Sequence, residues 1–279
     1  MDYPKSVPNV GLVGGKFVDE NIATGVVGSL IPSAWGNAVT DELLAVIKGA
    51  GLTPDESSNV QLLAAIKSFK GIQRFLSSGV FVVPVGITTI WVTAVAGGGG
   101  GGGTLNIGAM GNIAAGGGGG GAGQYTLRQP FTVTPGQSIA ISVGVAGTGG
   151  GIANAGNPGS ATVIGSLVTL NGGSGGGPGA AGSTSQSWAG GPGGAGFPNG
   201  GDASDISTSY GAISGAGGNS PLGGGGGGRR SALNSSLPGN SAFAYGAGGG
   251  GAGGSYGGTA TSSGNVGGPG SPGYVAIEY

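Results

Sequence analysis

The chain contains no cysteine and no histidine, and only 7% of its residues are charged. Without cysteine, disulfides and thiol chemistry are excluded, and the redox compartment stays undetermined. Without histidine, serine catalysis has no ordinary general base. The 9 basic and 10 acidic residues give a net charge of −1 and form no polybasic run. Nucleic acid and anionic membranes are therefore not expected partners.

Long hydrophobic runs are also missing. The longest apolar-rich stretch, residues 80–96, is interrupted by Pro84 and Gly86 and does not fit a membrane span. The opening MDYPKSVPNVGL lacks the apolar centre of a secretory signal, so none is expected. Glycine runs match the dinucleotide fingerprint trivially, but no P-loop lysine follows them, and no cluster of metal ligands is present. We expect no cofactor and no metal.

Glycine dominates what is present. The chain has 75 glycines and 15 prolines among 279 residues, a balance typical of low complexity or disorder. A hydrophobic fraction of 37% and the scarcity of charge argue against disorder. Of the 75 glycines, 11 precede residue 97, whereas 13 of the 19 charged residues do. The sequence thus predicts two structurally different regions, one that holds most of the charged residues and one that holds most of the glycines.

The first region, residues 1–72, is predicted to be an extended arm followed by two short helices. Ser33 can cap a helix that ends near Lys48, and the capping-box pattern Thr53-Pro54-Asp55-Glu56 predicts a second helix to Lys70. The second helix is expected to bury Leu62, Leu63, Ile66 and Phe69. So little structure closes only a small core, which predicts packing on another copy or a larger assembly. Residues 73–79 are predicted to be a connector.

The fold class is predicted to be mainly β with a small α N-terminal region. An antiparallel β-sandwich is expected over 80–175, beginning with a strand at 80–96. Strands at 124–133 and 139–145 should form a hairpin about Pro135-Gly136, and 160–163 should pair with 167–171. The strand 273–279 is expected to return and pair with the first strand, because a lone strand needs a partner.

The glycine runs of 80–279 are read as built structure rather than linker. Over 172–272 they fit a stack of polyglycine II helices, which have three residues per turn and no internal hydrogen bonds. Their N–H and C=O groups would then pair with neighbouring runs, whose approach requires glycine. Irregular Ω-loops and a glycine-rich β-solenoid are the alternatives.

Side chains concentrate in the loops between glycine runs. Aromatic and arginine side chains dominate binding hot spots, and a rigid platform that displays them suits recognition. The candidate receptor-binding residues are Trp188, Phe197, Tyr210, Arg229, Arg230, Phe243 and Tyr245. The alternative is that the aromatics fill gaps and the arginines are merely solvated. Asp202 and Asp205 could form a catalytic carboxylate pair, but such loop carboxylates are usually turn caps, so no enzyme is expected.

Two segments carry a resemblance. Residues 11–56, GLVGGKFVDENIATGVVGSLIPSAWGNAVTDELLAVIKGAGLTPDE, resemble the N-terminal part of tail fibre proteins from tailed bacteriophages of Gram-negative hosts. FVVPVGITTIWVTAVAGGGGGGG, the segment FTVTPGQSIAISVGVAG and the closing GYVAIEY resemble the glycine-rich C-terminal domain of phage tail fibres and adhesins. Together they cover most of the chain. Some members of that family carry a polyglycine II stack whose distal loops bind the receptor.

The resemblance implies a virion protein, made in the host cytoplasm, that acts at the host cell surface. Residues 1–72 would attach to other tail or baseplate proteins, and the glycine-rich region would recognise a glycan, an outer-membrane protein or a pilus. A homotrimer is implied, and symmetric assembly also suits domains with small cores. A structural spacer carrying a separate adhesin and a surface-polysaccharide depolymerase remain alternatives.

Overall fold

The structure, a computed structural model, describes residues 5, 7–68, 71–108, 112–183, 185–207, 211–257 and 261–279. The chain divides into two compact units. The first comprises residues 1–71 and 84–87, and the second comprises 72–83 and 88–279. The chain is mainly β, with helices only in the first unit of the described chain. No helix among the described residues is long and apolar enough to cross a membrane.

The first unit contains helices α1 (Ser33–Gly49) and α2 (Gln61–Ser68). Pro32, not Ser33, occupies the N-cap position of α1, because its extended backbone ends where helical geometry begins. The predicted start of the second helix was also wrong. Asp55 and Gln61 instead organise a turn, in which Gln61 Oε1 accepts from the Asp55 N–H and Gln61 Nε2 donates to the Thr53 carbonyl. The Ser57 hydroxyl and N–H donate to Asp55 and lower the pKa of its carboxyl.

The first unit has a very small core. Among its described residues, the buried hydrophobic ones are Val10, Ile47 and Ala65. Leu63 and Ile66, predicted to be buried, are 55% and 58% exposed, and Ile22 is 86% exposed. Phe69 lies outside the described residues. Exposed apolar side chains of this kind are typical of an interaction face.

The second unit contains the strands, whose bounds follow. They are β1 (Ile72–Phe75), β2 (Gly79–Val82), β3 (Thr89–Val95), β4 (Asn112–Ala114), β5 (Tyr125–Thr132), β6 (Ser138–Ser142), β7 (Thr162–Ile164), β8 (Val168–Leu170), β9 (Ala181–Ser183), β10 (Gly223–Gly224), β11 (Ala232–Leu233), β12 (Phe243–Ala244), β13 (Ser255–Tyr256) and β14 (Tyr274–Glu278). Two four-stranded antiparallel sheets have the orders β1-β14-β3-β5 and β2-β6-β7-β8. A third sheet, β11-β13-β4-β9, and the ribbon β10-β12 are smaller.

The predicted pairing of the last strand with the first is confirmed, since β14 pairs with β3 from Tyr274↔Val95 to Glu278↔Trp91. The predicted pairing of β7 with β8 is confirmed too, about Gly165 at φ +47°. The predicted strand at 80–96 is two strands in different sheets, because Pro84 lacks a donor and Gly86 turns the chain at φ +85°. β1 begins one residue before the predicted connector and occupies its first three residues.

The predicted hairpin between β5 and β6 was wrong. The Pro135-Gly136 turn forms, with the Gln137 N–H donating to the Thr134 carbonyl and Gly136 at φ +79°. However, β5 pairs with β3 whereas β6 pairs with β2, so this turn carries the chain from one sheet to the other.

The two larger sheets bury alternate side chains. Phe81, Ile90, Val92, Ile164, Val275 and Ile277 are fully buried. The rings of Phe81 and Tyr279 contact each other at 5.5 Å between centroids. The hydroxyl of Thr162, the first residue of β7, donates to the Val95 carbonyl at the end of β3. The Thr162 hydrogen bond joins the two sheets where β3 ends and its glycine run begins, whereas the Phe81–Tyr279 contact joins them near the start of β3.

Hydrogen bonding in the glycine runs has a period of three residues. The N–H groups of Gly97, Gly100 and Gly103 donate to the carbonyls of Ser160, Asn157 and Asn154. The remaining N–H groups of this run donate to carbonyls of two other segments, 265–271 and 118–121. The carbonyl groups of the run accept from the N–H groups of three further segments, 147–153, 173–179 and 249–252. Run 97–103 therefore has six neighbours, three as acceptors and three as donors.

Three such runs, 97–103, 116–123 and 246–255, are buried along their whole length. Their centre holds backbone and almost no side chains. A Cβ at Gly98 would lie 2.0 Å from the Ala247 carbonyl oxygen, and one at Gly120 would lie 2.2 Å from that of Gly99. Glycine is thus required because the neighbouring backbones occupy the space of a Cβ.

The hydrogen-bond register shows that successive runs alternate in direction. The described chain contains twelve runs: 96–104, 115–124, 144–151, 154–160, 171–180, 189–197, 198–204, 212–218, 224–230, 237–242, 246–254 and 264–273. Because strands lie between several of them, strands and runs are interleaved over 72–279 rather than confined to separate segments.

Candidate functional site

The alternation of the runs gives the second unit two opposite ends. At the strand end, the runs meet β3, β5, β14 and the ribbon β10-β12. At the loop end, six connections join one run to the next. The described residues of the loop end are 105–108, 112–114, 152–153, 181–183, 185–188, 205–207, 211, 231–236, 255–257 and 261–263. The sheet β11-β13-β4-β9 belongs to these loops.

Trp188 lies at the loop end and is partly buried there. Its ring packs against a cluster of Ile113, Ala115, Ile206 and Ala212. Its indole Nε1–H donates to the Ser183 carbonyl at 2.9 Å, and its backbone pairs with Ile206 in both directions. A Cβ at Gly182 would overlap the indole ring. Trp188 therefore closes a small apolar cluster beneath the loops.

Arg229 and Arg230 also lie at the loop end, where a run enters its loop. Arg229 Nε–H donates to the Pro238 carbonyl at 3.1 Å, which holds the side chain against the next run. Arg230 is exposed, and its guanidinium donates to the Ser231 carbonyl at 3.3 Å. Neither arginine forms an ion pair within the described part of the chain. Their charge is therefore available to an anionic group.

Three predicted residues lie at the strand end instead. Phe197, 49% exposed, borders a groove of about 510 Å³ with Gln124, Tyr125 and Pro198. Phe243, 68% exposed, covers Gly224 in the ribbon β10-β12. Tyr245 stacks on Tyr274, with 4.8 Å between ring centroids. Tyr210 lies outside the described residues. The predicted set therefore does not form one face.

Two exposed apolar side chains at the loop end were missed by the sequence reasoning. Leu233 in β11 and Ile213, at the start of a run, are each 61% exposed. Counting the runs along the sequence could have identified which loops lie together at one end. Because runs alternate in direction, every second connection lies at the same end, and counting runs assigns each loop to an end.

Asp202 and Asp205 have a structural role. Run 189–197 presents the N–H groups of Gly190, Gly193 and Gly196 at intervals of three residues. Their acceptors come from the side chains of Asp205, at 3.0 Å, Asp202, at 2.7 Å, and Asn199, at 2.8 Å. This Asx ladder (Asn199, Asp202 and Asp205) lies in and directly after the neighbouring run 198–204, where side-chain oxygens take the place of backbone carbonyls as acceptors. A catalytic pair has no support in this arrangement, and the described residues hold no cluster of metal ligands.

We expect Asp202→Ala to lower the free energy of unfolding by about 1 kcal/mol, because the Gly193 N–H loses its acceptor. Asp202→Asn, which keeps an oxygen acceptor, should stay within about 0.5 kcal/mol of the parent. Urea denaturation of both variants tests this. Equal destabilisation by Ala and Asn would contradict the ladder.

The model of a glycine-rich domain family matches residues 76–279, which include thirteen of the fourteen described strands and all twelve runs. Among curated proteins, none matches the chain.

Proposed function

We propose that the second unit of this chain, which belongs to the glycine-rich domain family, is a rigid recognition platform of a bacteriophage tail fibre or tip protein. The observation that carries the proposal is the arrangement of six loops at one end of the twelve hydrogen-bonded runs, which together form a backbone lattice. The central runs leave no room for side chains, so the larger side chains are presented in the loops that join the runs. The resemblance of residues 11–56 and 81–103 to phage tail fibres supplies the biological setting.

In the finer structure that we propose, the twelve runs are polyglycine II helices. The three-residue period of their hydrogen bonds and their six-neighbour packing support this, because polyglycine II helices have three residues per turn and no internal hydrogen bonds. We also propose that the two four-stranded sheets form a β-sandwich. Burial of alternate side chains and the contact between Phe81 and Tyr279 support it.

The receptor would be bound by the loop end, with Arg229 and Arg230 facing phosphate or carboxylate groups of a host surface molecule. Leu233 and Ile213 would add apolar contact. The first unit, with its exposed apolar side chains, would attach to other tail or baseplate proteins or to further copies in a homotrimer. Many copies on one particle would hold it by avidity. The protein would act at the host surface as part of the virion, without catalysis.

The test uses the whole chain, labelled and purified, on a panel of Gram-negative strains. We expect saturable binding to sensitive strains and inhibition of adsorption of a phage that carries this chain. Arg229→Gln/Arg230→Gln should reduce cell binding at least about tenfold, since charge-assisted hydrogen bonds contribute about 1.5–3 kcal/mol each. Phe243→Ala, at the strand end, is the matched control and should bind as the parent does.

If the double arginine variant binds cells as well as the parent does, the two arginines are not part of the receptor site. A folded chain that neither binds cells nor competes with phage would favour the structural spacer, in which the adhesin is another protein. Trp188 is unsuitable for this test, because its replacement would disturb the cluster beneath the loops.

A further inference from the structure

A second groove lies at the strand end, away from the six loops. It has a volume of about 430 Å³ and is lined by Arg74, Leu76, Leu222, Tyr245 and Tyr274. This size falls within the range of small-molecule sites, which combine apolar and aromatic walls with a few polar groups. One wall comes from β1 and β14 of the sheet, and the other from residues that flank the ribbon β10-β12.

The aromatic wall is held in place by the backbone around it. Tyr245 and Tyr274 stack at an interplanar angle of 28°. The Tyr245 N–H donates to the Leu222 carbonyl at 3.2 Å, and the Ser220 hydroxyl donates to the Tyr245 carbonyl. Gly246, the next residue, donates to the Pro272 carbonyl at 2.7 Å. The pair is therefore preorganised, which reduces the entropy cost of binding a ligand.

The charge in the groove comes from Arg74. It pairs in register with Ala276 and is exposed at the edge of the sheet. It makes no ion pair within the described residues. Arg128, at the other edge of the same sheet, provides a contrast. Its Nε lies 3.1 Å from Glu278 Oε2, and its guanidinium lies 5.6 Å from the centre of the Trp91 ring. The sheet thus carries one compensated arginine and one uncompensated arginine beside an aromatic wall.

We propose that this groove binds an acidic saccharide, a sugar ring that carries a carboxylate. The guanidinium fork of Arg74 matches a carboxylate with two parallel hydrogen bonds. The tyrosine pair and the two leucines supply a flat apolar surface for the C–H face of a sugar ring. This groove is separate from the loop end, so the result of its test does not depend on the proposed receptor interface.

The experiment uses the full chain with glucuronic acid as the probe, followed by ligand-observed saturation-transfer NMR and titration. Glucose is the neutral control, while acetate and inorganic phosphate test whether an anion alone suffices. We expect glucuronic acid to bind and glucose to bind at least about tenfold more weakly, because one charge-assisted hydrogen bond is worth a factor of that order. Acetate and phosphate should not displace it at matched concentration.

Arg74→Gln should weaken glucuronic acid binding about tenfold or more without changing the melting temperature, since the side chain is exposed. Arg128→Gln is the matched control on the same sheet and should leave binding unchanged. Equal binding of glucuronic acid and glucose would overturn the proposal, as would no effect of Arg74→Gln. Full displacement by acetate or phosphate would reduce the site to an anion site and would also overturn it.

Discussion

Gly101→Ala is expected to prevent the second unit from folding stably. A Cβ at this position would lie 2.1 Å from the Gly250 carbonyl oxygen and 2.4 Å from its carbon. The Gly250 backbone cannot move aside, because its N–H donates to Asn240 and its carbonyl accepts from Gly268. Overpacking commonly costs about 1–3 kcal/mol, and here the obstacle is main chain, so we expect a loss of about 4 kcal/mol or more.

The matched control is Gly227→Ala, for which only Asn240 Nδ2 lies nearby, at 3.7 Å. There the reduced entropy of the unfolded chain should dominate and raise stability by about 0.5 kcal/mol. The same chemical change is thus expected to have opposite signs at two glycines. Urea denaturation followed by tryptophan fluorescence measures both variants. Unfolding of Gly101→Ala at the same urea concentration as the parent would contradict the close backbone packing around Gly101.

Removal of residues 274–279 should abolish the folding of the second unit. This deletion removes β14, which pairs with both β1 and β3 and lies inside its sheet. Val275 and Ile277 are fully buried, and burial of such side chains contributes about 1.5–3 kcal/mol each. The deletion also exposes the unpaired edge of β3, which favours aggregation. The expected loss in the free energy of unfolding is therefore comparable to the whole stability of a typical domain.

Glu278→Gln provides the control for β14. It removes only the ion pair with Arg128, whose side chain is 68% exposed, so the effect should stay below about 1 kcal/mol. Circular dichroism and the soluble yield of the truncated chain are the measurements. A truncated chain that retains the parent's spectrum and melting temperature would show that the sheet closes without β14.

Pattern and composition predicted the parts of the fold that depend on side chains. Alternation of apolar residues located the predicted strand that contains β3, and the need of a lone C-terminal strand for a partner paired it correctly with β14. The predicted pairing of segment 160–163 with segment 167–171 corresponds to the pairing of β7 with β8. The bounds of helix α1 were predicted closely, from Ser33 to near Lys48.

The errors arose where local signals compete with distant pairing. The Pro135-Gly136 turn is real, yet a turn does not show whether its two strands join the same sheet. The capping pattern at Thr53–Glu56 was read as a helix start, but the side chain of Gln61 stabilises a turn there instead.

The candidate site was harder to predict than the fold because glycine runs carry no side-chain signal about their neighbours. Residues as close in sequence as Arg230 and Phe243 belong to opposite ends of the lattice, one at the loop end and one at the strand end. Nothing in their chemistry distinguishes them. Only the direction of each run distinguishes them, which follows from its hydrogen bonds or, once the alternation of the runs is known, from counting the runs.

The three-residue period of the lattice also limits how such a chain can change in length. A slip of one residue turns every donor toward the wrong neighbour, whereas a slip of three restores the pattern one turn further along. Insertions and deletions within two facing runs should therefore survive selection only in paired multiples of three. The side chains of the Asx ladder also repeat every three residues, so they too would be satisfied after a slip of three. The register of one run against the next must therefore be fixed by the strands at one end. Loops at the other end are free to diverge in sequence and length while the scaffold beneath them stays the same.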